Sequence, residues 1–70
     1  MTPRLIMNAR RLLGWSTETL AAMSDVPLSA VLTYERLGRA DAVQVTAIRS
    51  ALEAAGIEFE NRASPTVRLR

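Results

Sequence analysis

The chain has seventy residues, nine of them Arg and none Lys, seven acidic residues, a formal net charge of +2, and neither Cys nor His. Such a length makes one small domain, burying about 60% of the surface that its unfolded chain would expose, so a lone copy is marginally stable and self-association is expected. Without Cys there is no disulfide or thiolate metal site, and without His the commonest general base and metal ligand is missing, so no enzyme, metal or cofactor is expected.

The opening MTPRLIMNARR has no apolar segment of the kind that directs secretion, and the apolar runs are only a few residues long. Membrane insertion is therefore not expected, and the cytoplasm is the expected location. The charges cluster by sign. Arg4, Arg10 and Arg11 precede residue 16, while residues 16–35 hold Glu18, Asp25 and Glu35 with no cation. Arg36 and Arg39 follow, and Arg62, Arg68 and Arg70 lie near the end. Arginine forms paired contacts with phosphate more readily than lysine does. The distribution offers a frame for a polyanion.

In chain order, Thr2 can cap a helix that Pro3 opens, where the missing proline N–H costs nothing. Ile6, Ala9, Leu12 and Leu13 recur at helical spacing, with Arg4, Asn8 and Arg11 elsewhere on the cylinder, and Gly14 ends the helix. Trp15 then precedes Ser16, a second capping residue, and packs as a hydrophobic staple. A second helix is predicted over about 17–24. Glu18 lies in its first turn, where the helix dipole favours an anion, and Leu20, Ala21, Met23 and Ser24 point toward the core. Asp25 takes the left-handed turn position and Val26 plugs the corner. Pro27 opens a third helix that runs to about Arg36, with Gly38 as its stop.

Asp41 is the expected cap of a fourth helix over about 42–55, whose apolar stripe is Val45, Ile48, Leu52 and Ala55, closed by Gly56. Beyond it the period changes from helical to alternating, as IEFE and TVRLR separated by residues 61–65. Paired as a hairpin, Ile57 and Phe59 oppose Leu69 and Val67, and Glu58 opposes Arg68 on the other face. The predicted architecture is mainly α: a compact helix-turn-helix bundle of about four helices over residues 1–56, with a C-terminal β-hairpin or extended tail over 57–70. Two strands alone are marginal in water, so the hairpin is expected to pack on the helices or to pair with a second copy across a free edge, which makes 57–70 the expected dimerisation element.

The stretch ARRLLGWSTETLAAMSDVPLSAVLTYERLGR, followed by AIRSALEAAGIEF, resembles small bacterial or phage regulators with a lambda-repressor-like, Xre-type helix-turn-helix. That resemblance implies a third helix in the DNA major groove and a second crossing the backbone. Position by position, it implies that Thr17 contacts a phosphate or base edge and that Leu28, Ser29, Leu32, Thr33 and Arg36 form the reading face. Arg39 would follow near the backbone, and Arg10 and Glu35 would form an ion pair between the first and third helices. The chain departs from the pattern at Thr17, where a longer Gln is usual, at Asp25, where Gly is usual, and at Pro27, where Ser or Thr commonly caps.

Base discrimination relies mainly on Arg, Lys, Asn or Gln, whereas this face offers Ser29, Thr33 and two leucines suited to thymine methyl groups. Two readings result. In the first, the chain is a sequence-specific DNA-binding transcriptional regulator, a homodimer reading half-sites some 34 Å apart on double-stranded DNA. In the second, the same fold binds a protein partner, as an anti-activator or accessory subunit, through exposed Leu28 and Leu32.

Overall fold

The computed structural model describes residues 2–60 and 66–70. It orders them as helices α1 (Pro3–Leu12), α2 (Thr17–Ser24), α3 (Leu28–Leu37) and α4 (Ala42–Ala54), then strands β1 (Ile57–Glu60) and β2 (Thr66–Leu69). This is the mainly helical bundle with a C-terminal hairpin that the sequence predicts. None of the described helices is long and apolar enough to cross a membrane.

Local chemistry sets the helix ends. The Thr2 hydroxyl accepts from the Leu5 N–H at 3.3 Å, and the Ser16 hydroxyl accepts from the Thr19 N–H at 3.1 Å. Each satisfies one of the first-turn donors that a helix leaves unpaired. At the far end of α1 the Trp15 N–H reaches back to the Arg10 carbonyl and the Gly14 N–H to that of Arg11. The end of α2 repeats this pair of bonds, with the Val26 N–H on Ala21 and the Asp25 N–H on Ala22. Asp25 accordingly sits at φ 56°, ψ 43°, among the described residues the one non-glycine position with positive φ. An aspartate can hold this conformation at modest cost. Asp41 occupies the position before α4, as expected, but its side chain makes no capping hydrogen bond.

Four helices and β1 contribute to one core: Ile6 and Ala9 from α1, Leu20 and Ala21 from α2, Val31 and Tyr34 from α3, Ile48 and Leu52 from α4, and Ile57 from β1, with Val67 of β2 packed against it. Trp15 and Val26 pack against its edge, as the staple and the corner plug require. Two expected core residues lie outside it. Met23 is 60% exposed and Leu12 49% exposed. With 3.6 residues per turn, the buried face of α2 runs through Leu20, Ala21 and Ser24, and that of α1 through Ile6 and Ala9, which leaves Met23 and Leu12 to either side.

The hairpin is antiparallel, with Ile57 opposite Leu69, Glu58 opposite Arg68 and Phe59 opposite Val67, the register that alternation predicts. Its inner face packs on α1 and α4. On its outer face Arg68 meets Glu58 at 2.8 Å and Glu60 at 3.1 Å. The connecting residues 61–65, the expected turn, lie outside the described part of the chain.

The Ser24 hydroxyl is buried and has no hydrogen-bond partner. An unpaired buried hydroxyl costs about 1 kcal/mol or more, so Ser24→Ala is expected to leave stability unchanged or raise it by roughly 1 kcal/mol. Urea denaturation of the two proteins measures the difference. A second consequence concerns Tyr34, whose hydroxyl burial pushes above its ordinary pKa of 10.0. Because the folded state holds the proton more tightly than the unfolded one, this contribution is intact below about pH 10 and is lost as pH rises past it. Thermal melts across that range should fall more steeply for the parent chain than for Tyr34→Phe.

Candidate nucleic-acid interface

Helices α2 and α3 meet through the tight corner at Asp25 to Pro27, and α3 buries Val31 and Tyr34 against the rest of the bundle. Helical periodicity then turns Ser29, Thr33 and Arg36 to the opposite side, and all three are exposed. Pro27 precedes α3 without any side-chain cap, and its carbonyl accepts from the Ala30 N–H at 2.9 Å, which leaves the Leu28 and Ser29 N–H groups without a capping side chain.

The orientation of α3 is held by Glu35. Its carboxylate accepts two hydrogen bonds from Arg10 of α1, from Nε at 2.9 Å and from Nη2 at 3.1 Å. Arg10 Nη1 donates to the Trp15 carbonyl at 2.9 Å. The side chains of Arg10 and Glu35 are only 13% and 7% exposed. One guanidinium thus ties α1, the connection to α2, and α3 together. The ion pair implied by the resemblance is present.

The other candidate residues divide by position. Ser29, Thr33 and Arg39 line a cleft of about 500 Å³ between α3 and the start of α4, together with Pro27, Asp41 and Gln44. Arg36 is exposed on α3 beside it. Leu28 is 38% exposed, but Leu32 is half-buried, so the pair of exposed leucines expected from the sequence reduces to one. Leu32 lies on the shoulder of the helix nearer the core-facing Val31 and Glu35, where one flank of its side chain is covered. Thr17 is half-buried at the start of α2, and its hydroxyl donates to Glu18 Oε1 at 2.7 Å. This bond is the main cause holding the Glu18 carboxyl below its ordinary value of 4.5. Thr17 is therefore already engaged, and next to an anion.

Sequence reasoning missed Gln44. It is the only glutamine in the chain, stands in the first turn of α4 within the apolar run AVQVTAI, and is half-buried where α4 approaches α3. Its amide can both donate and accept, the property that base edges require. A lone polar residue within an apolar helix start was the available signal.

The cations are sorted as well. Arg10, Arg49, Arg68 and Arg70 lie in ion pairs with Glu35, Glu53 and the hairpin carboxylates. Among the described residues Arg4, Arg11, Arg36 and Arg39 form none, and all four are exposed. The Cβ that Gly38 lacks would come within 3.6 Å of the Pro3 ring, so the end of α3 lies against the start of α1. Arg36 and Arg39 stand within two residues of Gly38 in the chain, and Arg4 is next to Pro3.

No protein-family model matches the chain, and no curated protein matches it.

The Arg10 pair has a measurable signature. Removing one partner leaves a charge buried alone, so Arg10→Ala or Glu35→Ala should cost about 3 kcal/mol. The double variant Arg10→Met, Glu35→Leu should recover most of that loss, because two apolar side chains need no partner. A double-mutant cycle by chemical denaturation tests both statements. Additive losses would rule out direct coupling.

Proposed function

We propose that this chain is a sequence-specific DNA-binding regulator of transcription that acts in the cytoplasm as a homodimer, inserting α3 into the major groove of double-stranded DNA. The observation that carries the reading is the combination on α3 of an exposed face, Ser29, Thr33 and Arg36, with a carboxylate, Glu35, neutralised on the opposite side by Arg10. A helix end with unpaired Arg36 and Arg39 attracts a phosphate backbone, and the resemblance of the corner to Xre-type regulators supports the same use.

In this reading the residues have distinct roles. Arg36 and Arg39 contact phosphates and set affinity and register. Ser29 and Thr33 make single hydrogen bonds to base edges, and Leu28 meets a thymine methyl group. Gln44, across the cleft from Ser29 and Thr33, adds a side chain capable of paired hydrogen bonding. The ionised Glu18 beside Thr17 opposes close approach of a phosphate at the start of α2, which shifts the burden to α3 and its C-terminal end. The protein-binding alternative retains one exposed leucine, Leu28, a small anchor for a helix-in-groove contact.

The test is titration of the chain against its own promoter region and against random DNA at two salt concentrations. Affinity should fall steeply with salt, and Arg36→Ala should weaken binding to every sequence and lower the salt slope by about one. Equal binding to both DNAs removes sequence specificity. A flat salt response removes DNA binding altogether.

A further inference from the structure

The hairpin leaves main-chain groups unused. The Arg70 N–H donates to the Gly56 carbonyl at 2.8 Å, and the register continues this pattern along the strands. The pairs that exchange hydrogen bonds within the hairpin are therefore Gly56 with Arg70, Glu58 with Arg68, and Glu60 with Thr66. The N–H and C=O groups of Val67 and Leu69 must point away from β1, and those of Ile57 and Phe59 away from β2. Among the described residues the sheet has only these two strands, and neither outer edge has a backbone partner.

Strand β2 also borders a groove of about 530 Å³ against α1, lined by Leu5, Leu12 and Val67 with Asn8, Arg11 and Thr66. Leu12 and Leu69 are roughly half exposed, at 49% and 48%. An unpaired strand edge beside a partly apolar groove is the setting in which an added strand gains both backbone hydrogen bonds and side-chain burial.

We infer that a second copy of this chain docks here, its β2 pairing antiparallel with β2 across a two-fold axis, so that the two hairpins form one four-stranded sheet in the order β1-β2-β2-β1. Charge restricts the registers that a second copy can adopt, and the groove beside β2 favours that edge. A two-fold contact sets each surface against itself. Pairing through β1 centred on Phe59 would bring Glu58 against the partner's Glu60, and centred on Glu58 would bring like carboxylates directly opposite. Pairing through β2 centred on Val67 sets Val67 against the partner's Val67 and Thr66 against the partner's Arg68, with no like charges opposed. Arg68 is moreover neutralised by Glu58 and Glu60 of its own chain. Four strands also relieve the marginal stability of an isolated pair. Ser29, Thr33 and Arg36 take no part in the groove and stay free in both copies. The biological use of this dimer rests on the two-fold DNA reading proposed above, but its formation does not.

A chain of this length is accessible to chemical synthesis, so single amides can be methylated. N-methylation at Val67 removes an outward donor and leaves the hairpin's own hydrogen bonds intact. Sedimentation equilibrium should find a dimer for the parent chain. N-methyl-Val67 should weaken it by about thirtyfold, the effect of two lost hydrogen bonds per dimer. Leu12→Glu should weaken it as well, with helical circular dichroism retained because Leu12 lies outside the core, and N-methylation at Phe59 on the opposite edge should not. If Leu12→Glu fails to fold, the two methylated chains decide. A parent chain monomeric at every concentration overturns the inference, as does a dimer sensitive to Phe59 methylation instead of Val67. A monomer that still binds DNA with a steep salt response overturns the inference while leaving the proposed function standing, and a Val67-dependent dimer with no DNA affinity supports the inference while removing that function.

Discussion

The contact on which the rest of the bundle depends is the fork between Arg10 and Glu35. Three hydrogen bonds leave one guanidinium, two to the Glu35 carboxylate and one to the Trp15 carbonyl, and they join α1, the connection to α2, and α3. Both charges are nearly out of solvent, so their attraction largely offsets the cost of removing them from water, and the net gain in stability is small. What the pair supplies is direction. A guanidinium fork accepts a carboxylate in a narrow range of angles, so Glu35 fixes the roll of α3 about its axis. Ser29, Thr33 and Arg36 are thereby turned outward.

The same pair also shapes the charge of the surface. Residues 16–35 hold carboxylates and no cation, which reads as a poor surface for a polyanion. Folding changes this by placing Glu35 inside with Arg10, while Glu58 and Glu60 are occupied with Arg68 and Glu53 with Arg49. Among the described residues the exposed arginines without such partners are Arg4 and Arg11 of α1, Arg36 of α3 and Arg39 just beyond it. Exposed pairs contribute little energy, but they decide which charges remain for a ligand. At the other side of the motif, Glu18 stays ionised next to Thr17, and an anion there limits what α2 can contribute to phosphate contact.

Much of the fold was legible because it is decided locally. Thr2 and Ser16 cap their helices through bonds that span three residues, and Gly14, Asp25 and Gly38 end helices where the backbone turns left-handed. The hairpin register followed from alternation, since a slip of β2 by one residue would move Val67 and Leu69 to the solvent face and Arg68 to the inner one. Less was legible where two neighbouring positions compete for one face. Met23 and Leu12 sit next to the buried stripes of their helices, and their apolar character alone does not say on which side the core lies. Leu32 was misplaced for the same reason: it lies between the outward and the inward face of α3.

The sequence by itself determined the four helices and the strand register, because these follow from short-range hydrogen bonding and periodicity, while the Arg10 and Glu35 partners were implied by the resemblance to Xre-type regulators. Only the tertiary structure decided that Gln44 of α4 lines a cleft with Ser29 and Thr33, and that β2 borders a groove beside α1. Those placements depend on the angles at which whole helices cross, which are set by the summed packing of a core drawn from five elements. No local run of residues encodes such an angle.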